Sequence, residues 1–276
     1  MPKLLRANFS RLLHDRAFRL LSALMVSFGT SMAVVNAVHA QQDGEIWVMD
    51  YTIFIYVILA PIVNAVLTAL FIGNEHSSGT MRNKRIAGHR RGIIYLANLL
   101  VCICAGICLC LAFALPQAAV GLLLKGEMNA APVTILLYVG LSFALMIAFT
   151  ALFALIAMLC QNKSHTTAGC ILLTFALLFA GVYISSTLEE PEYLAAYSYT
   201  ENGVTVEEPE QRNPYYITGM KRQVYEFLQD LTPGGQVIQV SEMGVKKPVM
   251  LAVYDGLILL FVTGFGLIFF RREDLK

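Results

Sequence analysis

Six apolar blocks divide this chain, and each is about as long as the ~20 residues that an α-helix needs to cross a bilayer. They run about 20–38, 51–72, 93–115, 132–159, 167–187 and 249–270. Of the 276 residues, 57% are hydrophobic and 14% charged, with a mean hydropathy of +0.63. Soluble domains carry roughly 25% charged and about 45–50% apolar residues, so an ordinary soluble domain is excluded. The expected fold is an all-α membrane protein with six transmembrane helices. An amphipathic surface helix (2–18) precedes them, and an extracytoplasmic insertion (188–248) separates the fifth from the sixth. No fold-level repeat is evident, and 1–276 reads as a single transmembrane domain.

Orientation follows from Lys and Arg near the span ends, which favour the cytoplasmic side. With the N-terminus inside, Lys125, Arg212, Lys221, Arg222, Lys246 and Lys247 fall outside, and the other fourteen of the 20 cations fall inside. Both termini are therefore expected in the cytoplasm. The N-terminal arm is too long, and lacks a convincing cleavage site, for a signal peptide. Within it Leu5, Phe9, Leu12 and Leu13 share a helical face opposite Lys3, Arg11 and Asp15. Such a helix either lies in the headgroup plane or is simply a positive flank. Arg16 falls back on the apolar stripe, so a bend into the membrane is expected there.

Polar groups inside the spans are few. Asn36 sits in the first; Pro61, Asn64 and Thr68 sit in the second. Asn64 and Thr68, four apart on one face, either line a substrate path or hydrogen-bond between helices, the commoner use of such residues. Asp255 is the one ionisable group clearly within a span, a candidate substrate or subunit contact. Pro116 is expected to end the third span. The six cysteines, at 102, 104, 108, 110, 160 and 170, lie in or beside apolar blocks. On a helix Cys102 and Cys104 point to nearly opposite faces, so packing is favoured over a metal site.

The insertion is polar, acidic and tyrosine-rich, with Trp47 of the first exterior loop placed near the interface. Thr218–Leu231 reads as an amphipathic helix with Met220, Val224, Phe227, Leu228 and Leu231 on one face, ended by Thr232-Pro233-Gly234-Gly235. That stripe must be covered by the outer ends of the spans, another subunit or the interface. Glu189 and Glu190 form a solvated acidic face. Catalytic constellations are missing: no phosphate loop, H-E-x-x-H or G-x-S-x-G occurs. The chain is expected not to be an enzyme, with any nucleotide site on another chain.

Between the second and third blocks lies NEHSSGTMRNKRIAGHRRGIIYLAN, Asn74–Asn98, with five cations against the single acid Glu75. Too short for a domain, it carries Gly79, Asn83 and Gly88 at turn-like spacing, as a cytoplasmic docking element would. Its residues Glu75, Gly79, Thr80, Arg82, Asn83, Lys84, Gly88, His89, Arg91, Ile94, Tyr95 and Leu96 resemble the first cytoplasmic loop of ABC-2 type permeases, membrane subunits of bacterial ABC transporters. Asn213–Gln239 resembles the exterior segment before the last span in a Firmicutes-type branch of that family, and the ending FFRREDLK matches its basic close. The likeness covers essentially the whole chain. Arg85-Ile86-Ala87 followed by Arg90 departs from it by making the loop more basic.

The resemblance implies a multi-pass protein of the bacterial plasma membrane, the permease of an ATP-driven exporter. Its loop over 74–92 forms a coupling helix that fits a groove on a separate ATPase, with the surface helix packed beside it. It further implies two ATPase copies that carry the ATP and Mg, a second permease copy, the lipid bilayer as surroundings and no nucleic-acid partner. No cofactor is expected on this chain. Glu75, Gly79, Thr80, Arg82, Asn83, Lys84, Gly88 and Arg91 are the implied docking residues. Glu75 is expected near a helix N-terminus, where the dipole favours it, paired with an arginine of the partner. Arg82, Lys84 and Arg91 either dock or meet lipid headgroups. Asn36, Asn64, Thr68 and Asp255 are the candidate path for a peptide, lipid-like or drug-like cargo. Two other classes fit the sequence less well. A stand-alone channel or ion-coupled transporter would carry more charge in its spans or inverted repeats, and a membrane enzyme would need catalytic groups.

Overall fold

A computed structural model of the chain describes residues 2–201, 204–208 and 210–272. Helix α1 (Pro2–His14) is set off from α2 (Arg16–Asp43) by Asp15, whose extended backbone and carboxylate cap α2 through Ala17 N at 2.7 Å. The bend falls one residue before its expected place because Asp15 is the better N-cap. The buried stripe of α1 is Leu4, Asn8 and Leu12. Leu5 and Phe9 are half-buried, and Leu13 is exposed, so the inner face is turned by one residue from the apolar one. A polar side chain, Asn8, lies at its centre.

Among the described residues, six helices are long and apolar enough to cross a membrane: α2, α3 (Tyr56–Ser77), α5 (Arg91–Leu123), α6 (Pro132–Leu159), α7 (Lys163–Glu189) and α10 (Pro248–Arg272). Helix α3 starts later than expected because a 3-10 turn, Met49–Tyr51, precedes it. The core lies between α3, α5 and α6, with α2 against α5, α10 against α6 and α7 against α3. Residues such as Phe28, Phe179 and Phe261 face outward from the peripheral helices, as a bilayer permits.

Pro116 does not end its helix. α5 continues to Leu123, 33 residues in all and roughly 50 Å long at 1.5 Å per residue. Proline removes one backbone hydrogen bond, which a packed neighbourhood tolerates in a membrane. Cys102 and Cys110 face the core while Cys108 faces out. Trp47 packs inward, its ring beside Gly121 and Gly126. The last residues of the basic close, Glu273 to Lys276, lie outside the described residues.

The insertion holds more structure than its polarity suggested. Two antiparallel strand pairs form, β1 (Tyr193–Leu194) with β4 (Gln211–Arg212) and β2 (Tyr197–Glu201) with β3 (Val204–Glu208). Helix α8 (Gly219–Leu231) then leaves Met220, Val224 and Phe227 exposed, with Leu228 and Leu231 half-buried. Phe227 meets Tyr254 of α10 edge-on. The TPGG stretch stops α8 but also starts α9 (Pro233–Ser241): Thr232 Oγ1 accepts from Gly235 N at 3.3 Å, and Pro233 takes the first helical position. Helix α9 drives inward against α7. A Cβ on Gly234 would lie 1.7 Å from Leu177 O, so the backbones touch near the midpoint of α7. α9 is therefore a buried element.

Candidate functional site

The loop after α3 folds into one short helix, α4 (Thr80–Ile86), framed by two glycines in the left-handed region, Gly79 at φ 67° and Gly88 at φ 86°. Any side chain there would be strained. Ser78 Oγ stiffens the entry, bonding Asn74 O and Thr80 Oγ1 at 2.7 Å each. Across the end of the bundle, Lys163 Nζ donates to Asn74 Oδ1 at 2.8 Å. Met81 is buried on the inner face of α4, while Arg82, Asn83, Arg85 and Ile86 point outward. Ile86 is 77% exposed.

Behind α4 sits a buried polar ring. Glu75, fully buried, takes hydrogen bonds on Oε1 from Arg11 and Lys84 and on Oε2 from Asn98 Nδ2 at 2.6 Å. Asn98 Oδ1 accepts from Asn8 Nδ2 at 2.6 Å, and Asn8 Oδ1 accepts from Lys84 Nζ at 3.0 Å. The ring closes through α3, α5, α1 and α4. Arg11 also lies over the Phe71 ring, 3.8 Å from its centroid. Glu75 thus stands in the last turn of α3, not near a helix N-terminus. The dipole opposes a carboxylate there, and the two cations supply the compensation. Nor is its carboxylate available to a partner's arginine, since it is spent within the chain. Lys84 is an inward-facing member of the ring, and burial lowers its pKa, an effect partly reversed by Glu75. Fully paired networks of this kind fix a geometry, and partly paired ones are costly.

The other expected docking residues divide. Arg82, Asn83 and Gly88 are exposed, and Gly79 and Thr80 are half-buried at the entry. Arg91 turns toward α10, donating to Arg271 O at 2.9 Å and Phe270 O at 3.4 Å, the carbonyls that end that helix. Of the path candidates, Asn64 and Thr68 are fully buried inside the protomer. Asn64 Nδ2 donates to Thr150 Oγ1 at 2.8 Å, and Thr68 Oγ1 donates to Asn64 Oδ1 at 3.4 Å. They join α3 to α6 and are fully buried, the interhelical use of such residues. Asn36 is half-buried and donates to Met32 O of its own helix at 2.8 Å. Asp255 faces the interior at 3% exposure, beside the Gln236 side chain of α9.

Sequence reading missed Asn8, Arg11 and Asn98 as members of the site. Two signals pointed to them: a polar residue interrupting the spacing of Leu4 and Leu12, and a lone asparagine near the start of an apolar span. Comparison with known families matches residues 4–181 to the model described as ABC-2 family transporter protein. The matched stretch includes all five ring residues and stops within α7. No curated protein matches the chain.

Proposed function

Because the chain belongs to the ABC-2 family of transporter proteins, we propose that it is the permease of an ATP-driven exporter, coupled through α4 to a separate ATPase subunit. It is a multi-pass membrane component of an ABC transporter, a family whose members work with an ABC ATPase. In this reading the basic end, with α1, α4 and the end of α10, faces the cytoplasm by the distribution of Lys and Arg. Two permease copies and two ATPases assemble, the latter holding ATP and Mg. The cargo is peptide, lipid-like or drug-like.

The observation that carries the reading is the closed ring behind α4. A force on the exposed face of α4, formed by Arg82, Asn83 and Ile86, is not absorbed in a loop. Lys84 is bonded to Glu75 at the end of α3 and, through Asn8, to Asn98 near the start of α5. Displacing α4 therefore either breaks buried charge-assisted bonds or moves the long helices with it. The second is cheaper for a packed, fully satisfied network. Ile86 suits a docking tip, being apolar and exposed amid cations.

The test uses the full-length chain, affinity-tagged and purified from its native membrane. An ATPase subunit is expected to co-purify with it. Ile86→Glu and Arg82→Glu are expected to lose that subunit with unchanged yield, whereas Tyr215→Glu at the opposite end retains it. Retention of the subunit by both α4 variants, or cargo movement by the purified polypeptide alone, would overturn the reading.

A further inference from the structure

Beside the docking face, and unused by it, two adjoining pockets lie between α5 and α10. The one at the basic side is a crevice of about 740 Å³ ringed by Arg85, Arg90, Arg91 and Arg271. No acid lines it among the described residues. Next to it is an apolar slot of about 480 Å³ with Leu99, Ile103, Leu260 and Gly264 on its walls. Leu96 and Leu267 line both parts.

We propose that this pair of pockets holds one anionic phospholipid of the leaflet that the basic end faces, its phosphodiester among the four arginines and one acyl chain in the slot. The proposal does not depend on the exporter reading, since it concerns lipid retention by this chain alone. Three features carry it. The cationic and apolar parts adjoin, as a lipid's headgroup and tail do. The slot has the right reach: from Arg271 to Leu259, twelve residues of helix, is roughly 18 Å, comparable to half of a ~30 Å hydrocarbon core. And guanidinium forks match phosphate oxygens, as in basic pockets between transmembrane helices that hold anionic headgroups. A second copy of the chain is a poor occupant, because a two-fold contact here would set arginines against arginines.

The placement gives the lipid a consequence. Arg85 belongs to α4, Arg90 immediately precedes α5, and Arg271 lies in the last turn of α10. A phosphate held between them ties the docking helix to the last membrane helix. Arg85 and Arg90 are also the cations by which the loop departs from the permease pattern, and the crevice gives them a shared role.

The test reads bound lipid. The full-length chain is placed in nanodiscs of equal phosphatidylglycerol and phosphatidylcholine, extracted in mild detergent, and its retained lipid quantified by mass spectrometry. The wild type is expected to retain phosphatidylglycerol in preference. Arg90→Gln with Arg271→Gln should reduce that preference on the order of tenfold. Gly264→Phe, where a new Cβ meets nothing within 4 Å, should fill the slot and lower retention without touching charge. Leu260→Trp, at a residue 70% exposed, fills the same slot if the first variant folds poorly. Equal retention of both lipids by the wild type overturns the proposal. So does unchanged retention in folded slot variants, or thermal protection by soluble glycerol phosphate equal to that by the lipid, which would mark a simple anion site. Lost ATPase capture with unchanged lipid retention in the arginine variant would assign this surface to the protein partner instead.

Discussion

Replacing Glu75 by glutamine removes one charge and almost no volume from the ring behind α4. The side chain is fully buried, while those of Lys84 and Arg11 are 11% and 32% exposed. Breaking a buried pair by removing one partner costs about 3–5 kcal/mol, because the remaining charge is left without compensation. At roughly 2–4 °C per kcal/mol for a chain of this size, the melting temperature should fall by about 6–20 °C. The loss should be local first, appearing as faster amide exchange over α4 and the start of α5. The cost also has a pH signature. Burial already lowers the Lys84 pKa, and without Glu75 that burial acts unopposed by the carboxylate. A lysine whose folded-state pKa is lowered contributes stability that is gained as pH rises through the window below its unfolded value. The deficit of Glu75→Gln should therefore shrink between neutral pH and about pH 10. Adding Lys84→Met should recover much of it by removing the stranded cation. The assays are fluorescence-detected size-exclusion melts and hydrogen exchange on the detergent-solubilised chain. Unchanged melting and exchange in Glu75→Gln, or a further loss on adding Lys84→Met, would refute the ring as the anchor of α4.

Gly234→Ala should lower the melting temperature and loosen α9, since its Cβ would overlap Leu177 O; overpacking of this kind costs about 1–3 kcal/mol, and exchange rates over 233–241 measure it. Asn64→Leu should destabilise the α3–α6 contact by about 1–3 kcal/mol, leaving the Thr150 hydroxyl without that donor. Cargo selectivity should not change, and a changed cargo profile at unchanged stability would support the path reading instead. Glu242 has its pKa raised above the ordinary 4.5, first by burial and then by repulsion from Glu189. A carboxyl raised on folding loses stability as pH climbs from 4.5 through its folded value. Glu242→Gln should therefore melt higher than the wild type above that window and no differently below it.

The six spans were legible because their signal is local: an apolar run of bilayer length has no alternative but to cross or be buried, and the blocks at 132–159 and 249–270 nearly coincide with α6 and α10. So was α4's frame, since glycines at 79 and 88 mark the left-handed turns that their backbone adopts. The pairing of β2 with β3 also has a local signal in the sequence, where Asn-Gly between two alternating runs marks paired strands. Pro116 lies within α5 instead of ending it, and the TPGG stretch both stops α8 and starts α9, for one shared reason. Proline and glycine mark where a helix can stop or start, and only the packing around them decides which.

What local pattern could not supply was the fate of the polar groups. Glu75 reads as a docking acid in sequence because it sits in an exposed-looking basic loop. In the fold it is fully buried at the end of α3, bonded to Asn98 23 residues on and Arg11 64 residues back, with Asn8 90 residues from Asn98. Asn64 likewise finds Thr150 across 86 residues. Apolar blocks determine how often a chain crosses the bilayer, since transfer free energy adds up residue by residue along one helix. Which charge faces a partner and which is consumed inside depends on donors and acceptors brought together from distant segments, and only the folded chain sets those distances.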